Sequence, residues 1–408
     1  MSQTVPPQEL ALSGLEPPEA AARMITHAVA LQASDLYVLA DEDDAKVSLR
    51  ALGQMERLAT ISREQGRHLI NYFKTMADLD IAERRRPQEG RWIYDLEGRR
   101  IDLRLSVVPT LFGEDLAVRI LDRQFGLRPL DSLGLSRSDY HKITALLARP
   151  SGLILVTGPT GTGKTTTLYA AIQHLNTGTR KINTIEDPIE YAIRGVRQSQ
   201  VHPKLGVDFP ELLKNILRQA PDVIMIGEVR DEETAITAVR AANSGHLVLA
   251  TLHTPVAAAA IQSLRALGVN PYFLANCLLG IVAQRLVRVL CRQCRVAYDI
   301  RESPETFADI RDLLEPGLGD FIYGPSGCEQ CRGQGYEGRT GVFELMTFNP
   351  TLRRMIYEEA PPEAIQQEAI RHGMVEFRRA ALLHVAHGIT STEEVLRELP
   401  AEYLGVEV

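Results

Sequence analysis

Hydrophobic and polar positions along the chain fall into three regimes, and each predicts a different kind of structure. In the first, apolar and polar residues alternate. Leu36 to Ala40 and Lys46 to Ala51 do so around the acidic turn Asp41-Glu42-Asp43-Asp44, the pattern of a hairpin with one buried face. Arg91 to Leu96 and Arg100 to Val107 repeat it around Glu97-Gly98, and Leu116 to Leu121 adds one more strand. An Ala-rich helix opens at Pro17-Pro18-Glu19 and ends near Ala33, and a second helical stretch covers Ser62 to Ala82. Together these predict a small α+β domain over 17–122, preceded by a mobile tail, 1–16, and followed by a Gly- and Pro-containing linker, 123–136.

The second regime, 137–290, replaces alternation with short, mostly apolar runs. Leu153 to Val156, Ile182 to Ile185, Val223 to Ile226 and Leu247 to Ala250 each precede or follow a helical stretch, the signature of strands buried on both faces in a parallel α/β sheet. Phe273 to Val282 reads as an apolar helix. The longer stretch from Tyr272 to Leu290 is interrupted by Asn276, Gln284, Arg285 and Arg288, which rules it out as a bilayer span. The third regime holds a Cys-, Gly- and Pro-rich insert, 291–345, and then a region of helical periodicity, 346–408.

Composition changes this picture little. The 408 residues leave room for two or three domains, and 45% hydrophobic with 24% charged residues is ordinary for a globular protein. A formal net charge of -7 lacks the basic footprint of a nucleic-acid binder. The N-terminus has neither a basic region nor an apolar core, so it is no secretory signal, and the expected location is the cytoplasm.

Candidate chemistry changes it a great deal. Gly158-Pro159-Thr160-Gly161-Thr162-Gly163-Lys164-Thr165 matches the phosphate-loop pattern, and it lies between the apolar run 153–156 and a helix over Thr165 to Leu175. Glycines let the backbone wrap phosphate oxygens so that loop N–H groups and the helix N-terminus face negative charge. Lys164 would reach the β- and γ-phosphates of ATP and Thr165 would ligate Mg²⁺, with Thr166 next to them. Glu228 follows the run 223–226, at the strand end where open α/β sheets bind ligands, and either acts on Mg²⁺ through water or is the base that orients the attacking water, against the alternative of a surface carboxylate paired with Arg230. Glu186, in Glu186-Asp187-Pro188-Ile189-Glu190, ends another strand; its carboxylates are either solvated residues of an Asp-Pro turn or, as the strand-end placement favours, near Mg²⁺. His253, after the run 247–250, is either a γ-phosphate contact or a packing residue.

Strand parity marks two arginines. Ile101, Leu103, Leu105 and Val107 are apolar, so Arg104 lies on the opposite face; Leu116, Val118 and Ile120 put Arg119 there too. They are either solvated sheet residues or fingers for a triphosphate. Cys291-Arg292-Gln293-Cys294 and Cys328-Glu329-Gln330-Cys331 are paired knuckles, a four-thiolate pattern for structural Zn²⁺, against the alternatives of disulfides or redox catalysis. Cys277 is left over as a small buried hydrophobe.

With these residues in place, the chain over about 17–399 resembles the type II secretion and type IV pilus assembly ATPase family. The resemblance rests on the phosphate loop, the acidic box Thr184 to Tyr191, the segment Leu217 to Asp222 leading into Ile226 to Asp231, and the histidine box Ser244-Gly245-His246 through Thr251 to Thr254. Ala33-Ser34-Asp35, Pro87 to Arg91 and Asp102 to Ser106 resemble the family's PAS-like domain. What this implies is a RecA-like phosphate-loop NTPase core with an N-terminal PAS-like domain, a four-cysteine zinc insert and a helical C-terminal region. It also implies that Arg104 and Arg119 contact the γ-phosphate. The implied activity is that of a homo-hexameric ATPase peripheral to the inner membrane, without a transmembrane segment of its own, working on a platform protein. Two departures are the short stretch ahead of the first domain, where secretion-type members usually carry a large recruiting domain, and Asp115 and Tyr37 where Arg and His are usual. A nucleic-acid motor and a non-hydrolysing scaffold are the rivals. A retraction motor of the PilT type is disfavoured by the four-cysteine insert.

Overall fold

In a computed structural model describing residues 10–122 and 126–404, the alternating first regime folds into a six-stranded antiparallel sheet. Its strands are β1 (Asp35–Ala40), β2 (Asp44–Ala51), β3 (Gln54–Ser62), β4 (Gln88–Leu96), β5 (Arg99–Pro109) and β6 (Glu114–Leu121), in the spatial order β3-β2-β1-β6-β5-β4. Helices α1 (Pro17–Ala30) and α2 (Arg63–Met76) bury Met24, Ile25, Leu69, Ile70 and Phe73 against one face, where Leu36, Val38, Leu49, Leu103 and Val118 meet them. Only one face is covered, which is why the pattern alternates.

Two expectations change here. Strand β3 was not legible, because its first four residues are polar or exposed and a register shift between Val47 and Ser48 leaves the neighbours Leu58 and Ala59 both buried, breaking parity. Of the expected mobile tail, 1–9 lies outside the described residues, but 10–16 is seated: Leu12 is 1% exposed in the core and the Leu10 N–H donates to the Leu58 carbonyl at 2.7 Å.

The chain divides into two compact units, one ending at Gly126 and one starting at Leu127. The second is built on β7 (Gly152–Thr157), β8 (Ile182–Glu186), β9 (Arg197–Gln200), β10 (Val223–Ile226), β11 (Leu247–Leu252), β12 (Leu278–Leu290) and β15 (Tyr336–Thr347). Their order is β15-β12-β7-β11-β10-β8-β9, parallel throughout except for the β12–β15 pair. Successive residues serve two cores. Leu153 and Leu155 face one, with α5 (Phe209–Leu217), α6 (Glu232–Asn243) and α7 (Ala257–Ala266); Ile154 and Val156 face the other, with α3 (Arg137–Leu147) and α4 (Lys164–Leu175). Helices on both faces remove any polar side, so β7, β10 and β11 read as nearly continuous apolar runs.

The expected helix over Phe273 to Val282 is corrected: α8 (Pro271–Cys277) ends after seven residues and β12 follows at once. Flanked by β7 and β15 and covered on both faces, β12 needs no alternation, so its periodicity resembles that of a buried helix. Within it, Gly280 is crowded: a Cβ there would come within 2.5 Å of Leu146.

The expected linker also differs. Residues 123–125 lie outside the described residues, whereas Leu130 and Leu133 are buried in the second unit and the Gly341 N–H donates to the Leu133 carbonyl at 2.9 Å. The insert closes earlier than 345, because β15 returns to the main sheet from Tyr336; the hairpin of β13 (Val296–Asp299) and β14 (Phe321–Gly324) forms its own two-stranded sheet. Helices α9 (Pro350–Tyr357), α10 (Pro362–Arg371), α11 (Phe377–Ala386), α12 (Thr392–Glu398) and α13 (Ala401–Leu404) complete the chain as described.

Candidate functional site

The parallel strands β7, β8, β10 and β11 deliver their C-terminal ends to one edge of the sheet, and most of the expected second-unit site residues stand there. After β7 the chain enters the glycine loop. Gly158, Gly161 and Gly163 all have positive φ (149°, 82° and 87°), so side chains at the last two would be strained in the left-handed region. Gly158 is also close-packed, since a Cβ would lie 2.6 Å from the Gln284 carbonyl. Gly163 caps α4, whose first residues are Lys164, Thr165 and Thr166; Thr165 is exposed. Pro159 and Thr160 are exposed on the loop crest, and the Thr162 hydroxyl donates to the Pro159 carbonyl at 2.9 Å.

Lys164 folds back over this loop. Its Nζ donates to the carbonyls of Gly158 (2.8 Å) and Pro159 (3.0 Å) and lies 3.3 Å from His253 Nδ1. Burial and the nearby Arg285 guanidinium lower its pKa to about 8, against the opposing pull of Glu228. His253 Nε2 lies 2.7 Å from Glu228 Oε1, and Glu228 Oε2 is 2.5 Å from Arg230. An imidazole protonated on Nε2 donates to the carboxylate and leaves Nδ1 to accept from the lysine. Burial would push Glu228 up, but the hydrogen bond from Arg230 and the field of His253 outweigh it, so the carboxylate sits below its ordinary range. Lys164, His253, Glu228 and Arg230 therefore form one continuous polar chain across three strand ends.

Threonines lock those ends together, and the sequence reading missed them. Thr157 and Thr254 hydroxyls are 2.6 Å apart, and the Thr254 N–H donates to Thr157 Oγ1 at 2.9 Å, tying β7 to the residues after β11. Thr251 Oγ1 donates to the Gly227 carbonyl at 2.5 Å, tying β11 to the Glu228 segment. A hydroxyl at the end of an apolar run is the only signal available for either.

Glu186 is placed differently from expectation. It is 2% exposed, and its two oxygens accept from the Tyr169 hydroxyl, from Thr184 Oγ1 at 2.6 Å and from Gln198 Nε2 at 3.0 Å. With three donors on one carboxylate, it acts as a buried tie between β8, β9 and α4 rather than as a group presented to Mg²⁺. Asp187, next in the chain, lies 3.9 Å from Arg230.

In the first unit, Arg104 on β5 and Arg119 on β6 are directly paired across the sheet, on the face away from the core. The row continues to Arg91 on β4, and on the other side to Asp35 on β1 and Arg50 on β2. Arg119 Nε donates to Asp35 at 3.1 Å while its side chain stays 61% exposed. Of the two departures noted in the sequence, the Asp115 carboxylate accepts from the Ala40 N–H at 2.8 Å and the Tyr37 hydroxyl accepts from Arg50 Nε at 3.3 Å.

The four insert cysteines converge. Sγ separations are 3.9 Å for Cys291–Cys328, 3.6 Å for Cys294–Cys331 and 3.7 Å for Cys328–Cys331, and all four lie within 4.8 Å of one another. Thiolates about 2.3 Å from a central Zn²⁺ stand about 3.8 Å apart at tetrahedral angles, so the cluster fits that ion. N–H groups of Gly327 and Gly335 donate to Cys294 and Cys331 at 3.3 and 3.2 Å. All five cysteines are free thiols; Cys277 is buried, and burial pushes it up to about 12. Among the described residues, no helix is long and apolar enough to cross a membrane.

Comparison with known proteins agrees with this arrangement. Residues 17–397 match the family model described as type II/IV secretion system protein. The type II secretion system protein E of Dickeya dadantii (strain 3937) is 41% identical over 376 residues, covering 92% of this chain and 74% of its own. The type II secretion system ATPase E of Vibrio cholerae serotype O1 is 41% identical over 374 residues, covering 92% and 73%. The pilus retraction motor PilT with bound ADP superposes with a TM-score of 0.60 at 25% identity, over 91% of this chain and 95% of that one. The Legionella pneumophila ATPase DotB shares the fold at a TM-score of 0.70 and 21% identity, over 95% and 96%. The matched span takes in the glycine loop, the Glu228 and His253 strand ends and the cysteine cluster alike, and the chain belongs to the type II/IV secretion system protein family.

Proposed function

We propose that this chain is an ATP-hydrolysing motor that drives assembly of a type II secretion pseudopilus or a type IV pilus. The observation that carries the reading is the Lys164–His253–Glu228 chain, set across the C-terminal ends of β7, β10 and β11 beside a glycine loop that opens a helix. A triphosphate entering the loop takes the Lys164 ammonium from the Gly158 and Pro159 carbonyls, and the loop N–H groups and the start of α4 meet its β-phosphate. Mg²⁺ held by the Thr165 hydroxyl would neutralise charge on the β- and γ-oxygens. Glu228, kept ionised by Arg230 and His253, orients a water and accepts its proton as that water attacks the γ-phosphorus and ADP leaves. His253, bonded to both Lys164 and Glu228, is positioned to register loss of the γ-phosphate. Arg104 and Arg119 supply guanidinium charge to a triphosphate as fingers.

The wider reading is that of a RecA-like core with a PAS-like first domain, working as a homo-hexamer. It turns over at the cytoplasmic face of the inner membrane against a platform protein, with Zn²⁺ in the four-cysteine insert as a structural ion. Relatives at 41% identity, a type II secretion system protein E and a type II secretion system ATPase E, support the motor role in this reading. The test is turnover by the purified chain with Mg²⁺ and ATP, alongside Lys164→Ala. Loss of turnover in a variant that unfolds like the wild type is expected; undiminished turnover would refute the site.

A further inference from the structure

Beyond the glycine loop itself, one buried side chain outside every recognised motif touches both the loop and the helix that follows it. Gln284 sits on β12, one residue past the point where β12 stops pairing with β7 (Ala283 opposite Thr157) and where β7 gives way to the loop. It is 1% exposed. Its Nε2 donates to the Thr162 carbonyl at 2.6 Å, and its Oε1 accepts from Thr167 Oγ1, in the first turn of α4, at 2.8 Å. Thr162 and Thr167 are themselves 7% and 6% exposed, so neither bond competes freely with water.

The orientation follows from the partners. A carbonyl only accepts, so the amide nitrogen must face Thr162, and the amide oxygen then takes the Thr167 hydroxyl proton. In a trans peptide the C=O and the following N–H point in opposite directions. Drawing the Thr162 carbonyl toward β12 therefore turns the Gly163 N–H the other way, to the side where loop N–H groups would meet phosphate. Gly163 allows this approach: its φ is 87°, and a Cβ there would come within 3.3 Å of Gln284 Nε2.

We propose that Gln284 is a positioning residue for the nucleotide: it sets the plane of the Thr162–Gly163 peptide and fastens it to the first turn of α4, so that the loop is preorganised for phosphate before ATP arrives. This rests on the reading of 158–165 as the phosphate site. A neutral group that both donates and accepts is required, because the position must donate to a carbonyl and accept from a hydroxyl at once, and the glutamine amide does both. A carboxylate does only the second. Lysine and arginine do only the first.

The test measures Mg-ADP affinity and steady-state ATP turnover for the full chain and for Gln284→Leu, Gln284→Glu and Lys164→Ala. Gln284→Leu is expected to weaken ADP binding and raise KM about tenfold with kcat within about twofold, because a preorganised N–H favours ground and transition states alike. Gln284→Glu separates positioning from simple packing. Ionised, it sets a carboxylate oxygen against the Thr162 carbonyl; protonated, it donates as the amide does. Burial raises its pKa, so its binding defect relative to wild type should shrink as pH falls from about 8.5 to about 6. Wild-type affinity and KM in Gln284→Leu, or a Gln284→Glu defect that does not change with pH, overturns the proposal while leaving the phosphate site intact. Failure of the wild type to bind Mg-ADP, or full binding and turnover by Lys164→Ala, overturns the phosphate site and this proposal with it.

Discussion

Replacing Cys328 with serine removes one corner of a thiolate cluster in which three of the six Sγ separations, 3.6 to 3.9 Å, match the spacing of about 3.8 Å around Zn²⁺ and all lie within 4.8 Å. What depends on that corner can be worked out from the insert. Its hairpin pairs only four residues on each strand and leaves Val296, Tyr298 and Phe321 exposed by 42%, 52% and 38%, too little burial to hold two strands together in water. Phe307 and Ile310, at 4% and 0% exposure, are anchored in the main core instead. A structural zinc contributes about 10 to 16 kcal/mol in small peptides, comparable to the roughly 5 to 15 kcal/mol of a whole domain. Loss of metal should therefore melt 291–299 and 321–335, while 304–310 and the glycine loop persist.

The measurements are zinc per chain by elemental analysis, then peptide-resolved hydrogen exchange on wild type, chelated protein and Cys328→Ser. One zinc per chain is expected, with protection lost in those two segments and ADP affinity kept. Burial holds the Cys291 thiol up to about 12, so binding must displace its proton and affinity should rise with pH. Metal-free, reduced protein with full protection across 291–335 would refute the reasoning.

Three further outcomes are expected. Glu228→Gln keeps its shape but cannot take the proton of the attacking water, so it should bind ATP normally and turn over at least about a hundredfold more slowly; turnover near that of the wild type sinks the assignment. Arg104→Ala and Arg119→Ala should lose about 10³ to 10⁵ in rate, while unfolding midpoints barely move, because the Arg119 side chain is 61% exposed in its pair with Asp35 and solvent-screened pairs contribute about 0 to 1 kcal/mol. Parallel losses of activity and stability would mark them as structural. Glu344, buried on β15 under the N–H groups of Ala257 and Phe377, is pushed by burial from 4.5 to about 7. An acid whose folded pKa is raised favours the fold below its unfolded pKa, and that advantage is lost as pH rises between the two values. Wild-type stability relative to Glu344→Gln should thus fall by about 3 kcal/mol between about pH 4.5 and 7, read from denaturant titrations. A difference independent of pH would exclude it.

Several features of this protein are local, and the sequence by itself determined them. Glycines at 158, 161 and 163 declare a backbone conformation that other residues resist, and the knuckle spacing brings thiols close within each pair. Parity along β5 and β6 put Arg104 and Arg119 opposite the core because side chains alternate with a period of two, wherever the strand lies. Whatever depends on which segments become neighbours was decided by the tertiary structure. Leu278–Leu290 has an apolar pattern compatible with helix or strand, and only its place between β7 and β15 makes it a strand. Glu186 and Glu228 both end buried strands and look equivalent in one dimension. Three donors from β8, β9 and α4 enclose the first, while His253 and Arg230 hold the second beside Lys164. Gln284 shows no motif at all, because its role exists only where the strand 278–290 meets the glycine loop, with Gln284 bonded to Thr162 across 122 residues of chain. Side-chain chemistry is carried in the sequence, but which donor meets which acceptor is fixed by packing, and a buried polar group takes its function from the partners that packing supplies.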